Sequence, residues 1–138
     1  MILKKVSLDG EFHVGSQIAL DDVEALKGEG FAMIINNRPD HEVDDQPTAV
    51  ELEEACKAAG LKYAHIPIGR GISPADVAAE CAALDEAGGA KTFAFCRSGT
   101  RSTLMWALAH HDKGRPVAEL RDKAQDAGYS LDPISHLL

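Results

Sequence analysis

The sequence predicts an α/β fold: a central, mostly parallel sheet of four to five strands flanked by helices. Two observations carry this prediction. Short apolar runs of strand length alternate along the chain with stretches of helical spacing, and the helical stretches open on capping residues and close on glycine. Such alternation wraps a parallel sheet on both faces and places a ligand site beyond the carboxyl ends of its strands.

Taken in order, Leu3 to Leu8 reads as a short strand and Phe12 to Val14 as a second extended piece, joined through the turn signal Asp9-Gly10 into a hairpin. From Leu20 to Lys27, Val23 and Leu26 have helical spacing, Asp21 and Asp22 suit the positive N-terminal end, and Gly28 and Gly30 stop the helix. Phe31-Ala-Met-Ile-Ile-Asn is too apolar for a half-exposed strand and too short for a helix, which marks a buried strand. After the polar loop "NNRPDHEVDDQP", Thr48 and Glu51 form a capping-box pair, Leu52, Ala55 and Ala59 line one face, and Gly60 closes the helix. Lys62 to Pro67 is the next strand. "SPAD" opens a helix with Ser73 as N-cap, Pro74 at the first helical position and Asp76 as the capping acid; it runs to Gly88-Gly89. Lys91 to Phe95 is another apolar strand. Ser102 to Asp112 is apolar around nearly its whole circumference, so this helix belongs in the core. Pro116 to Ala127 is a last amphipathic helix ended by Gly128, followed by a tail holding Leu131, Ile134 and Leu137.

With 138 residues, 45% hydrophobic and 26% charged, residues 1–138 are expected to form one domain with a real core. No apolar N-terminal segment and no window near the ~20 residues of a membrane span occur, so a cytoplasmic protein is expected. The cysteines Cys56, Cys81 and Cys96 are odd in number and lack metal-ligand spacing, which suits free thiols in a reducing compartment. A net charge of -8 argues against nucleic acid or an anionic membrane as partner. Four of the six arginines, Arg38, Arg70, Arg97 and Arg101, nevertheless follow predicted strands, while the lysines fall elsewhere. Positive charge is thereby focused at one edge of the sheet, as an anion site requires.

"FAFCRSGTRS" (93–102) holds the chemistry. Cys96 ends a strand and precedes the buried helix, so backbone N–H groups and the helix's positive end surround it. Gly99 tolerates positive φ, letting the amides of Arg97, Ser98, Gly99 and Thr100 turn towards one point and cradle a tetrahedral anion. Arg101 can clamp two anion oxygens in bidentate fashion, and Ser102 can donate to the thiolate. Cys56 and Cys81 lie inside helical patterns without basic partners and read as structural. His110-His111 reads as a solvated helix face, His65 as a satisfied core histidine, and the acidic run Asp40 to Asp45 as exposed loop. No metal or cofactor is implied. Gly69 and Gly71 around Arg70 suggest a loop able to move over the site, with Arg38 and Arg70 as substrate contacts.

"CRSGTRS" resembles the Cys-loop-Arg signature of tyrosine and dual-specificity phosphatases and of rhodanese-type sulfurtransferases. "GSQIALDDVEALKGEGFAMIINNRPDHEVDDQPT", "AAGLKYAHIPIGRGIS" and "FCRSGTRSTLMWAL" together resemble the β-lactamase-hydrolase-like protein, phosphatase-like domain family over nearly the whole chain. The resemblance implies a phosphotyrosine-phosphatase-like fold with the Cys loop at its centre, Cys96 as nucleophile and Arg101 as anion clamp. Family members also occur fused to metallo-β-lactamase-like domains concerned with persulfide oxidation, which keeps sulfur chemistry in view.

Three features depart from the phosphatase pattern. Four residues separate Cys96 from Arg101, the rhodanese length, where phosphatases have five. Phe95 stands where phosphatases carry His. The acid expected after "HIPI" is replaced by "GRG". Asp76 is explained as a capping residue; Asp40, in "NNRPD", is the better-placed substitute, with a solvated turn acid as its other reading. The rhodanese Asp-x-Arg and Gly-His-Ile segments are missing in the expected order. The leading expectation is therefore hydrolysis of a small anionic phosphate ester or a phosphoprotein through a cysteinyl-phosphate. The alternative is sulfane-sulfur transfer through a Cys96 persulfide, and the third reading is a non-catalytic anion-binding module. Oligomeric state is open.

Overall fold

Short apolar runs end where they do because polar turns interrupt them, and five such runs pair into one sheet in the computed structural model, which describes residues 4–138. The expected opening residue of the first strand, Leu3, lies outside the described residues. Strand β1 (Lys5–Asp9) turns back through Gly10, at φ +59°, into β2 (Phe12–Gly15), the antiparallel hairpin read from Asp9-Gly10. Then follow α1 (Leu20–Gly28), β3 (Met33–Asn36), α2 (Ala49–Ala59), β4 (Lys62–His65), α3 (Pro74–Ala87), β5 (Thr92–Phe95), α4 (Thr100–Asp112) and α5 (Val117–Asp126). A 3-10 helix, Asp132–Leu137, closes the chain. The strand order is β1-β2-β5-β3-β4, and β2, β5, β3 and β4 run parallel.

Register aligns the strand ends: Phe95 lies opposite both Gly15 and Asn36, and Asn36 opposite His65. Four carboxyl ends therefore open onto one edge, and the turns that follow them share it. Alternation across β3 and β5 sends Met33, Ile35 and Ala94 into the core that holds α4 and α5, and Ile34, Phe93 and Phe95 into the core that holds α1 and α2. Phe95 is fully buried there with its ring stacked on Phe93, so the position before Cys96 serves packing. Helix α4 is buried from Ser102 through Ala109, as its uniformly apolar sequence requires. Both capping boxes form: Thr48 with Glu51 on α2, and Ser73 with Asp76 on α3. No helix among the described residues is long and apolar enough to cross a membrane.

One polar contact ties a helix to the strand-end edge. Asn37, just after β3, donates through Nδ2 to Ile66 O and to Glu80 Oε1 of α3, both at 3.2 Å. Glu80 is wholly buried, and burial pushes its carboxyl from 4.5 up to about 7, against the Asn37 hydrogen bond. Its Oε2 and Asn37 Oδ1 have no hydrogen-bond partner among the described residues. Because unfolded Glu80 loses its proton near 4.5 and the folded residue only near about 7, folding stability falls as pH rises through that interval. Urea denaturation of Glu80→Gln should show little difference from wild type at pH 4 and a gain that grows to a plateau above pH 7, of up to roughly 3 kcal/mol.

Candidate active site

Cys96 begins the turn between β5 and α4 and is 1% exposed. Gly99 adopts φ +95° and ψ -10°, a conformation open to glycine, and so becomes the N-cap of α4. Its carbonyl accepts both the Thr103 N–H at 3.0 Å and the Thr103 hydroxyl at 2.9 Å. Its own N–H turns back and donates to Cys96 Sγ at 3.1 Å. The helix therefore starts at Thr100, two residues before the start expected from sequence, and Arg101 and Ser102 belong to its first turn. The short Cys-to-Arg spacing thus leaves three non-helical residues, Arg97 to Gly99, to form the turn. Ser102 is fully buried on this turn and its hydroxyl has no hydrogen-bond partner among the described residues.

The Arg101 guanidinium is held at one edge. Glu42 accepts from Nη1 at 2.7 Å and from Nη2 at 2.9 Å, while Ile68 O accepts a second bond from Nη1 at 2.9 Å. Nε–H and the remaining N–H of Nη2 lie side by side on the other edge, and Cys96 is the neighbouring group that attracts the guanidinium. The Glu42 hydrogen bond and the neighbouring Cys96 both favour the charged form of Arg101. Glu42 in turn bridges to Arg38 Nε at 2.7 Å, and Arg38 donates from Nη1 to Gln17 at 2.9 Å. Hydrogen bonds from Arg101 and then Arg38 bring the Glu42 carboxyl down to about 2, against partial burial. Two guanidiniums thus face one carboxylate, and the edge stays positive.

The expected site residues separate into two groups. Cys96, Gly99 and Arg101 come together, whereas the expected bond from the Ser102 hydroxyl to Cys96 is not made among the described residues. Arg97 and Arg70 are exposed and, among the described residues, make no ion pair, while Ser98 and Thr100 pair their hydroxyls at 3.2 Å. Arg38 is buried and holds Glu42 rather than presenting itself to solvent; burial between Gln17 and Glu42 is the reason. Asp40 is tied to the head of α2, where its Oδ1 accepts the Ala49 N–H at 2.8 Å. His65 is satisfied by Arg38 O at 2.9 Å, as expected.

Two contributors escaped the sequence reading. Glu42 sits in the acidic run read as exposed loop, and that run is exposed, but its side chain, 30% exposed, pairs with two arginines. Tyr129, beyond α5, donates its hydroxyl to Ser98 O at 3.0 Å. The only sequence signal for Glu42 is an acid in a loop following the same strand as Arg38; for Tyr129 there is none.

Tyr129 also bounds the space at Gly99, where an added Cβ would fall 2.2 Å from its hydroxyl. Gly99→Ala is therefore expected to destabilise the fold by about 1–3 kcal/mol, and truncating Tyr129 to Ala in the same chain should recover part but not the share due to positive φ. Thermal melts of the two variants check this. Glu42→Ala frees the guanidinium edge that is now fixed; tungstate affinity by calorimetric titration should fall about tenfold, about 1.4 kcal/mol. An unchanged or tighter affinity would mean that Glu42 competes for Arg101 instead of orienting it.

Comparison with known proteins agrees with this architecture. A β-lactamase hydrolase-like protein of Agrobacterium fabrum is 33% identical over 131 residues, covering 94% of this chain but 30% of that protein, so the chain spans under a third of its length. A candidate phosphatase from Neisseria meningitidis Z2491, known by its crystal structure, is 31% identical, covers 96% of this chain and 94% of its own, and superposes with a TM-score of 0.76. Kinase-associated phosphatase, at 21% identity and a TM-score of 0.65 over 92% of this chain and 83% of its own, shares the fold. Residues 5–112, which carry the sheet and the whole Cys96–Arg101 turn, match the model of one family, and the chain belongs to it: the β-lactamase hydrolase-like protein, phosphatase-like domain family.

Proposed function

We propose that this chain hydrolyses phosphate monoesters through a cysteinyl-phosphate intermediate. The observation that carries the reading is the Gly99 N–H directed at Cys96 Sγ, with the Arg101 guanidinium, oriented by Glu42, beside it. In this reading the Cys96 thiolate attacks phosphorus, Arg101 and the turn amides hold the equatorial oxygens, and water then attacks the phosphorus of the intermediate. Likeness to the Neisseria candidate phosphatase across nearly the full chain supports it. A small anionic ester or a phosphoprotein side chain is the substrate class.

A second reading, sulfane-sulfur transfer through a Cys96 persulfide, is favoured by one specific feature. The four-residue spacing from Cys96 to Arg101 makes a tighter cradle, and Cys96 is nearly closed to solvent, which suits a single sulfur atom better than a phosphoryl group. One comparison separates the two: wild type and Cys96→Ser assayed with p-nitrophenyl phosphate and with thiosulfate plus cyanide. The phosphate reading expects p-nitrophenol release that the substitution abolishes. Thiocyanate formation, or a mass gain of one sulfur on Cys96 in the untreated protein, would transfer the assignment to sulfur.

A further inference from the structure

We propose that the cleft beside Arg101 receives the leaving group and that His136 protonates it; this rests on the phosphate-ester reading. The cleft, about 380 Å³, lies between the 68–72 turn, α4 and the C-terminal 3-10 helix. Arg101 forms its charged end, while Ile68, Ile72, Leu104 and Ile134 make its walls apolar. Arg101 donates from Nη1 to Ile68 O, so its guanidinium stands at that wall, on the border between the Cys96 turn and this space. Its volume falls in the range of small-molecule sites, and its lining repels a charged or strongly hydrated alcohol. An uncharged, apolar alcohol such as a phenol is the leaving group that fits.

The proton has few sources. Asp76 is engaged by the Ser73 N–H and Asp40 by the Ala49 N–H. Glu42 is kept ionised by two guanidiniums. Among the residues lining the cleft, His136 alone carries a side chain of the type that gives up a proton near neutrality. As Cys96 Sγ bonds to phosphorus and the ester P–O bond breaks, the imidazolium N–H protonates the departing oxygen and the alcohol leaves. The neutral imidazole then takes a proton from the water that attacks phosphorus, the P–S bond breaks, phosphate departs and the thiolate and imidazolium are restored.

The test uses the purified chain with 2,4-dinitrophenyl, p-nitrophenyl and phenyl phosphate. A proton donor matters more as the leaving oxygen becomes more basic. His136→Asn should therefore cost little on the dinitrophenyl ester and on the order of 10²-fold in kcat/KM on phenyl phosphate. An equal loss on all three esters, or none, overturns the role of His136 while leaving Cys96 hydrolysis standing. Absence of Cys96-dependent phosphate release from every ester defeats the phosphate reading and the proton donor with it. The cleft is tested without turnover: Cys96→Ser should bind phenylphosphonate at least about tenfold more tightly than methylphosphonate, in line with burial of the ring. Equal affinities overturn the leaving-group assignment.

Discussion

The positive φ at Gly99 is the constraint on which the site depends. With that one residue in the left-handed region, its N–H points at the Cys96 sulfur while its carbonyl starts the hydrogen bonding of α4. Any side chain there would meet both backbone strain and the Tyr129 hydroxyl. The same conformation brings Arg101 into the first helical turn. With four residues between Cys96 and Arg101, the helix begins almost as soon as the strand ends.

Around that turn the protein manages charge rather than accumulating it. Arg38 and Arg101 converge on a single carboxylate, Glu42, whose two oxygens hold the guanidiniums in defined planes. A buried or half-buried arginine left unpaired would be costly, and a carboxylate between two of them leaves the edge positive while fixing orientation. Glu80 is the contrasting case. Among the described residues it pairs with no cation, only with Asn37, so burial favours its neutral form.

Much of the fold is legible in the sequence because it rests on local chemistry. The Thr48–Glu51 and Ser73–Asp76 caps, the hairpin at Asp9-Gly10 and the all-round apolarity of α4 are each satisfied within a few residues, so spacing alone reveals them. Cys96, Gly99, Arg101 and Ser102 are legible for the same reason: they occupy one turn. Glu42, 59 residues from Arg101, and Tyr129, 31 from Ser98, are not, since nothing in a loop's composition says which distant group will face it.

By itself, then, the sequence determined the alternation that builds a parallel sheet, the edge on which the arginine-bearing turns fall, and the immediate surroundings of Cys96, all set by periodicity and by the steric freedom of glycine. Tertiary structure alone decided which charges neutralise which. It made Arg38 a support for Glu42, bound Asp40 to the head of α2, and placed the C-terminal helix and Arg101 around one cleft. The physical reason is that side-chain electrostatics depend on distances between segments far apart in the chain, which are settled only when the two cores close around the sheet.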